Sequence, residues 1–287
     1  MERTGTVLDL SPRGAYLAMT LRAPWAATGF RPGQFVALAV GGPHTSMVLR
    51  RCFSVYAADA AAGTVEFVFA VAGKGTAWLA GLRPGDTVDV VGPLGRPFPV
   101  PDEPGEQVLV GGGYGSAPMF ALADALRAVG STPHLVLGAA TADRLFAGGD
   151  SGGGGRGTGE DAPGRFASVT VTTDDGTVGV RGVVTDPLPD LLDRTGARDV
   201  YACGPMGMLA ACTAVAAAHG ARAHTAVEES MACGVGVCMT CVLPVVGDDG
   251  ITRMTRSCTE GPVFDGTRVR WADVGTVPAD TLGAGVH

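Results

Sequence analysis

Three cysteines stand close together in the stretch Glu228-Glu229-Ser230-Met231-Ala232-Cys233-Gly234-Val235-Gly236-Val237-Cys238-Met239-Thr240-Cys241, and Cys258 follows after sixteen intervening residues. A C-x4-C-x2-C loop with a distant fourth thiol is the ligand order of a plant-type [2Fe–2S] cluster. The tight loop would wrap one side of the cluster, and Cys258 would close it from a neighbouring segment. Gly234 and Gly236 can take positive φ and let backbone N–H groups turn toward the sulfurs. Such hydrogen bonds set reduction potential. A structural zinc site and disulfides are the alternatives. Zinc sites usually present two separated pairs, often with histidine, whereas this spacing is asymmetric and no histidine is nearby. Cys233, Cys238, Cys241 and Cys258 are therefore the predicted metal ligands.

Earlier in the chain two short elements could hold an anionic cofactor. Arg50-Arg51-Cys52-Phe53-Ser54 reads as a strand. Alternation puts Arg51 and Phe53 on one face and Ser54 on the other. An arginine can pair with a pyrophosphate, while Ser54 and backbone groups can hydrogen-bond a flavin ring. Gly73-Lys74-Gly75-Thr76 opens a helix, and its free N–H groups suit a phosphate. Each element alone is more often an ordinary strand or turn than a cofactor site. Val68, Phe69 and Ala70, just before the glycine turn, are counted with Gly75 and Thr76 as cofactor-binding positions.

Two further elements lie where a nucleotide would bind. Gly111-Gly112-Gly113-Tyr114-Gly115-Ser116-Ala117-Pro118 follows one predicted strand, and Cys203-Gly204-Pro205-Met206 follows another. Ligands bind at the C-terminal ends of strands in parallel sheets. Thr172-Thr173-Asp174-Asp175-Gly176-Thr177 ends a third strand. Asp-Gly is a turn signal, but an acid there, Asp174 above all, would also repel a 2′-phosphate and favour NAD over NADP.

The elements that must position these residues fall into three groups. Residues 1–102 show short candidate strands at 5–10, 15–21, 34–40, 52–56, 64–71 and 87–91, separated by Gly/Pro turns, with one helix at 76–82. That pattern predicts an antiparallel β-barrel. Residues 103–226 alternate strands (107–110, 134–139, 167–173, 199–202, 221–227) with helices (119–129, 187–193, 206–219), which predicts a parallel-sheet α/β domain. A glycine-rich low-complexity segment at 148–165 reads as a flexible loop inside that domain. Residues 227–287 hold the cysteines, short strands at 242–246, 252–257 and 263–264, and a tail, a module too small to fold without its metal.

At 287 residues the chain is long enough for roughly two domains and a buried core. Its net charge of −7, with no basic block, argues against nucleic acid as the main partner. Lys74 is the only lysine, an oddity with no function assigned. Met1-Glu2-Arg3-Thr4 runs straight into an alternating segment, with no basic-then-apolar leader and no membrane-length apolar run anywhere. A cytoplasmic protein is expected, whose cysteines ligate metal or are simply buried. The histidines at 44, 134, 219, 224 and 287 form no catalytic grouping.

Taken in order, Pro32-Gly33-Gln34-Phe35, the Arg51-Cys52-Phe53-Ser54 strand and the Gly73-Lys74-Gly75-Thr76 turn resemble the FAD-binding barrel of the ferredoxin-reductase superfamily, with its P-G-Q-[FY], R-x-[YF]-S and G-x-G-[TS] elements. Phe53 stands where many members have tyrosine, which removes a hydroxyl but keeps an apolar face. The Gly111–Pro118 and Cys203–Met208 loops resemble that superfamily's G-G-G-x-G-x-A-P and C-G-P-x-x-M loops, the second of which lies near the nicotinamide ring. With the cysteine stretch added, the chain resembles the electron-transfer subunits of NAD-dependent dihydroorotate dehydrogenase (type B) in pyrimidine biosynthesis. The resemblance implies FAD, one [2Fe–2S] cluster and NAD. It implies as well a partner FMN-containing catalytic dehydrogenase subunit in a heterotetramer. Dihydroorotate would be oxidised in the partner, and electrons would reach NAD+ through the cluster and FAD, with no catalytic side chain here. Met231, Ala232 and the residues flanking Cys238 would face the partner. The competing readings are a related flavin/iron–sulfur reductase subunit (of a sulfhydrogenase or an NADH-dependent ferredoxin:NADP reductase) and a redox sensor without turnover.

Overall fold

The computed structural model describes residues 3–42, 45–146 and 164–284. The segment expected to loop out at 148–165 falls, except for its last two residues, outside them.

Six strands, β1 (Arg3–Arg13), β2 (Tyr16–Arg22), β3 (Phe35–Leu38), β4 (Arg51–Asp59), β5 (Thr64–Phe69) and β6 (Thr87–Leu94), close into a barrel in the order β1-β2-β5-β4-β3-β6. Every neighbouring pair is antiparallel. Alternate residues such as Met19 and Leu21, Val36 and Leu38, and Val65, Phe67 and Phe69 fill its interior, as a period of two requires. Two short helices attach to it, α1 (Pro24–Thr28) and α2 (Lys74–Ala80). The sequence pattern does not predict α1, a single turn held by packing of Ala26 and Ala27 into the barrel core.

A second sheet follows, made of β7 (Glu106–Gly112), β8 (Thr132–Ala139), β9 (Ser168–Thr173), β10 (Val180–Arg181), β11 (Asp199–Cys203) and β12 (Arg222–Ala226). Runs such as Val108-Leu109-Val110 are buried on both sides, the signature of a parallel sheet covered by helices. Helix α3 (Ala117–Ala128) covers one face, against which the barrel also packs through contacts such as Tyr56 on Phe120. Helices α4 (Leu188–Thr195) and α5 (Met206–Ala218) cover the other. Beside the cysteines lies a hairpin of β13 (Val242–Val246) and β14 (Thr252–Arg256).

The sequence pattern misses one connection. β15 (Val263–Asp265) does not stay with the hairpin but pairs antiparallel with β12. The second sheet is thus seven-stranded, in the order β10-β9-β8-β7-β11-β12-β15, parallel except at that edge. The residues just before β15 also reach the barrel: Arg96 N–H donates to Gly261 O at 2.5 Å, and Arg96 bridges to Pro262. Val227 N–H donates to Pro262 O at 2.9 Å. One short segment therefore ties barrel, nucleotide sheet and cysteine module together. Among the described residues, no helix is long and apolar enough to cross a membrane.

Candidate functional site

The four predicted ligands form two pairs. Cys238 is within hydrogen-bonding reach of Cys233, and Cys258 of Cys241. A dinuclear cluster takes two thiolates on each iron, so paired thiols fit it. Among the described residues, no three His, Cys, Asp or Glu side chains are grouped to hold a single ion. The loop is shaped by backbone geometry. Gly234 has φ 72° and Gly236 φ 81°, and a Cβ on Gly236 would lie 2.8 Å from the Thr259 side chain. Val235 N–H donates to Cys233 Sγ at 3.4 Å, the Gly236 N–H points at Cys258, and Thr240 Oγ1 donates to Cys238 Sγ at 3.2 Å. Donation from the Thr240 hydroxyl, then its N–H, draws the exposed Cys238 thiol down to about 6, so it is readily a thiolate. Ser257 anchors the fourth ligand's segment, its N–H and Oγ both donating to Cys241 O, at 2.9 and 2.8 Å.

A cleft of about 720 Å³ lies where barrel, nucleotide sheet and cysteine module meet. Its barrel side is Phe35, Cys52, Phe53, Ser54 and Val68. Tyr114, Gly115, Cys203 and Gly204 face them, and residues 226–229 with Met231 close the end toward the cysteines. Burial pushes the Cys203 thiol up to about 12 and raises Glu229 above the usual carboxylate range. The Tyr114 hydroxyl donates to the Glu228 carboxylate across the cleft. Burial and that bond raise the phenol further. One residue along β4, Arg51 lies across the first turn of α2: a Cβ on Gly75 would stand 2.6 Å from Arg51 Nε. Two elements far apart in sequence thus meet in one contact that glycine at 75 permits; neither residue lines the cleft, and Arg51 Nη1 donates to Leu49 O and Arg50 O at 2.8 and 3.1 Å.

A second cleft, about 1240 Å³, runs along the C-terminal ends of β7, β8, β9 and β11. It is lined by Gly112, Gly113, Tyr114, Ala139, Ala140, Thr172, Asp174 and Pro205, with Tyr16, Arg144 and Glu228 at its borders. Tyr114 and Glu228 border both clefts, so the two meet there. The glycine loop and the Cys203-Gly204-Pro205 loop touch: a Cβ on Gly115 would lie 2.9 Å from Gly204 Cα, and one on Gly112 would lie 2.7 Å from Met208 Sδ. This is the crevice where strand order reverses between β7 and β11, the usual seat of a dinucleotide.

Several predicted positions sit elsewhere. Pro118 is buried in the first turn of α3 and lines neither cleft, because proline at a helix start serves the helix. Phe69 points into the barrel, whereas Phe53 lines the first cleft even though its ring stacks on Phe67 at 4.9 Å. Ala70 packs against the core beneath α3. The Thr76 hydroxyl is engaged within its own turn, accepting from Ala72 and Gly73 N–H at 2.9 and 3.1 Å. The Asp175 carboxylate turns back onto Thr177 N and Oγ1, which leaves Asp174 as the one of the two that lines the cleft, with Glu228 at its border. Met231 is half-buried and lines the first cleft, so it faces inward and not outward as expected. Tyr16, Tyr114, Arg144 and Glu228 were not predicted. Tyr114, inside the glycine motif, and Glu228, at the head of the cysteine stretch, carried a sequence signal; Tyr16 and Arg144 did not.

Residues 228–270 match the family described as the iron–sulfur cluster binding domain of dihydroorotate dehydrogenase B, and residues 6–98 match the oxidoreductase FAD-binding domain. The electron transfer subunit of dihydroorotate dehydrogenase B (NAD(+)) from Geobacillus thermodenitrificans is 37% identical over 250 residues, which cover 86% of this chain and 89% of that protein. Its counterpart from Fusobacterium nucleatum is 34% identical over 237 residues, 81% and 84% of the two chains. Among solved structures, a chain of the NADH-dependent reduced ferredoxin-NADP oxidoreductase superposes with a TM-score of 0.79 at 30% identity, covering 94% of this chain and 91% of that one. A ferredoxin NADP+ reductase from Neisseria gonorrhoeae shares the fold at a TM-score of 0.60 and 16% identity, covering 76% of this chain and 92% of that one. With relatives this similar over most of both chains, the protein belongs to the family of electron transfer subunits of dihydroorotate dehydrogenase B.

Proposed function

We propose that this chain works docked on an FMN-containing catalytic subunit, in a cytoplasmic heterotetramer, with its cysteine loop at the junction. As a member of its family it is an oxidoreductase subunit with FAD and iron–sulfur domains that passes electrons to NAD+. When bound, the cluster carries single electrons and the flavin gathers two for delivery as hydride. The chain's own residues bind, orient and exclude water. Cys233 with Cys238, and Cys241 with Cys258, would each hold one iron. Arg51 and the turn at Gly75 would take the flavin pyrophosphate, and Cys52, Ser54 and Val68 would border the ring. Gly112, Gly113 and Gly115 would lie beside the NAD pyrophosphate, and Arg144, among the described residues the one cationic side chain lining that cleft, would offset its charge. Cys203 and Gly204 would lie beside the nicotinamide, and Asp174 beside the adenosine ribose.

The observation that carries this reading is the shared border: the cleft beside the cysteine module and the dinucleotide cleft are both lined by the hydrogen-bonded pair Tyr114 and Glu228. A partner must then approach from the remaining side of the cysteine loop. There Val235, Val237 and Met239 are exposed, Val237 at 79%, next to the exposed Cys238. The experiment is co-purification followed by assay. An FMN-containing partner and dihydroorotate:NAD+ activity are expected. A complex that instead reduces ferredoxin and ignores dihydroorotate would overturn the reading in favour of the ferredoxin-NADP type of enzyme.

A further inference from the structure

Cys52 is a fifth thiol, outside the two ligand pairs, that borders both functional centres. It lies on β4 and lines the flavin-side cleft. With Phe35, Leu94 and Met231 it packs into one cluster with Cys241 and Cys258. On its other side a Cβ on Gly234 would stand 3.5 Å from its sulfur. The barrel strand and the cysteine loop therefore meet at this sulfur, and on the side of the ligand pair its packing partners are the apolar Phe35, Leu94 and Met231.

We propose that Cys52 is a positioning residue of the cluster: it seals the flavin-facing side of the Cys241–Cys258 pair against water and so holds the reduction potential low. This rests on reading the four cysteines as [2Fe–2S] ligands. A reduced cluster carries one more negative charge than an oxidised one. Water or a strong hydrogen-bond donor beside the ligands favours the reduced form and raises the potential. A thiol is a small, mostly apolar filler and a weak donor. Serine in its place supplies a strong donor. Alanine leaves a gap next to a cleft that water can enter. Valine refills the space without a donor. A dry, low-potential cluster hands its electron on to the flavin, whereas a raised potential retains it.

The test uses the full-length protein purified with its cofactors, unaltered and as Cys52→Ala, Cys52→Ser and Cys52→Val. Iron, sulfide and flavin contents are measured first, then the cluster midpoint potential by EPR-monitored titration. The expected result is a higher potential in Cys52→Ala and Cys52→Ser, with Cys52→Val returned close to the unaltered protein. After partial reduction, the first two variants should also hold a larger share of electrons on the cluster. Equal potentials in loaded Cys52→Ser and unaltered protein would overturn the proposal, as would a Cys52→Val shift as large as that of serine. These two variants decide the matter if Cys52→Ala fails to load. Unaltered protein that contains no iron would sink the cluster reading itself, a failure distinct from loaded variants with unshifted potentials.

Discussion

Arg51 and Gly75 show how residues far apart in sequence can depend on one missing methyl group. A Cβ at position 75 would collide with the Arg51 side chain at 2.6 Å, so Gly75→Ala should displace the guanidinium while leaving the barrel intact. Removing one charge-assisted contact to a phosphate costs about 1.5–3 kcal/mol, roughly 10- to 100-fold in affinity. Arg51→Ala should therefore release flavin on dilution or gel filtration, and Gly75→Ala should do so more mildly. Unchanged flavin occupancy in both would remove Arg51 and Gly75 from the site. At the other cleft, Asp174→Asn should narrow the preference for NADH over NADPH, read as the ratio of flavin bleaching rates. No change in that ratio would separate Asp174 from the ribose. The motifs at these positions are legible in the sequence because glycine and proline carry backbone meaning. Directions of side chains are not. Asp174 and Asp175 are chemically alike, and only the turn geometry commits Asp175 to Thr177.

At the scale of elements, the edge of the nucleotide sheet opposite the clefts is held by charge. Asp199 opens β11 almost fully buried, and both oxygens are used: Arg222 donates to them at 2.8 Å twice, and His224 lies 2.8 Å away. Burial alone would raise this carboxyl, but hydrogen bonds from His224 and Arg222 outweigh it and hold it below the usual carboxylate range. A depressed folded-state value means the stabilisation is complete above the unfolded value, near pH 4, and is lost as pH falls through the folded one. Asp199→Asn should cost about 2 kcal/mol at neutral pH, with most of the loss at the His224 contact because Arg222 is solvent-exposed. That deficit should shrink below pH 4, as read from urea melts at both pH values. Long apolar runs such as Val108-Leu109-Val110 made most strands of this sheet legible. The two-residue β10 and the single turn of α1 were not, because neither is long enough to show a period and both exist by tertiary contact.

The whole molecule is arranged as a line of clefts ending at an exposed apolar loop. If that loop docks the partner subunit, Val237→Asp or Met239→Asp should abolish co-purification while leaving the iron and flavin spectra unchanged. Retained assembly in both would move the interface elsewhere. Fold order was legible from composition and turns, but the join between parts was not, since three residues at 263–265 gave no sign that they would leave their hairpin for a distant sheet. That join limits how the protein can be taken apart. A fragment ending at residue 227 would lose β15 and expose the edge of β12 as a bare row of hydrogen-bonding groups, an invitation to aggregate. An excised cysteine module would in turn lose the strand that anchors it. The iron–sulfur end of this chain is thus not a cassette to be grafted onto another reductase: a transplant would have to carry its neighbour's last strand, and chimeras should fuse upstream of β12.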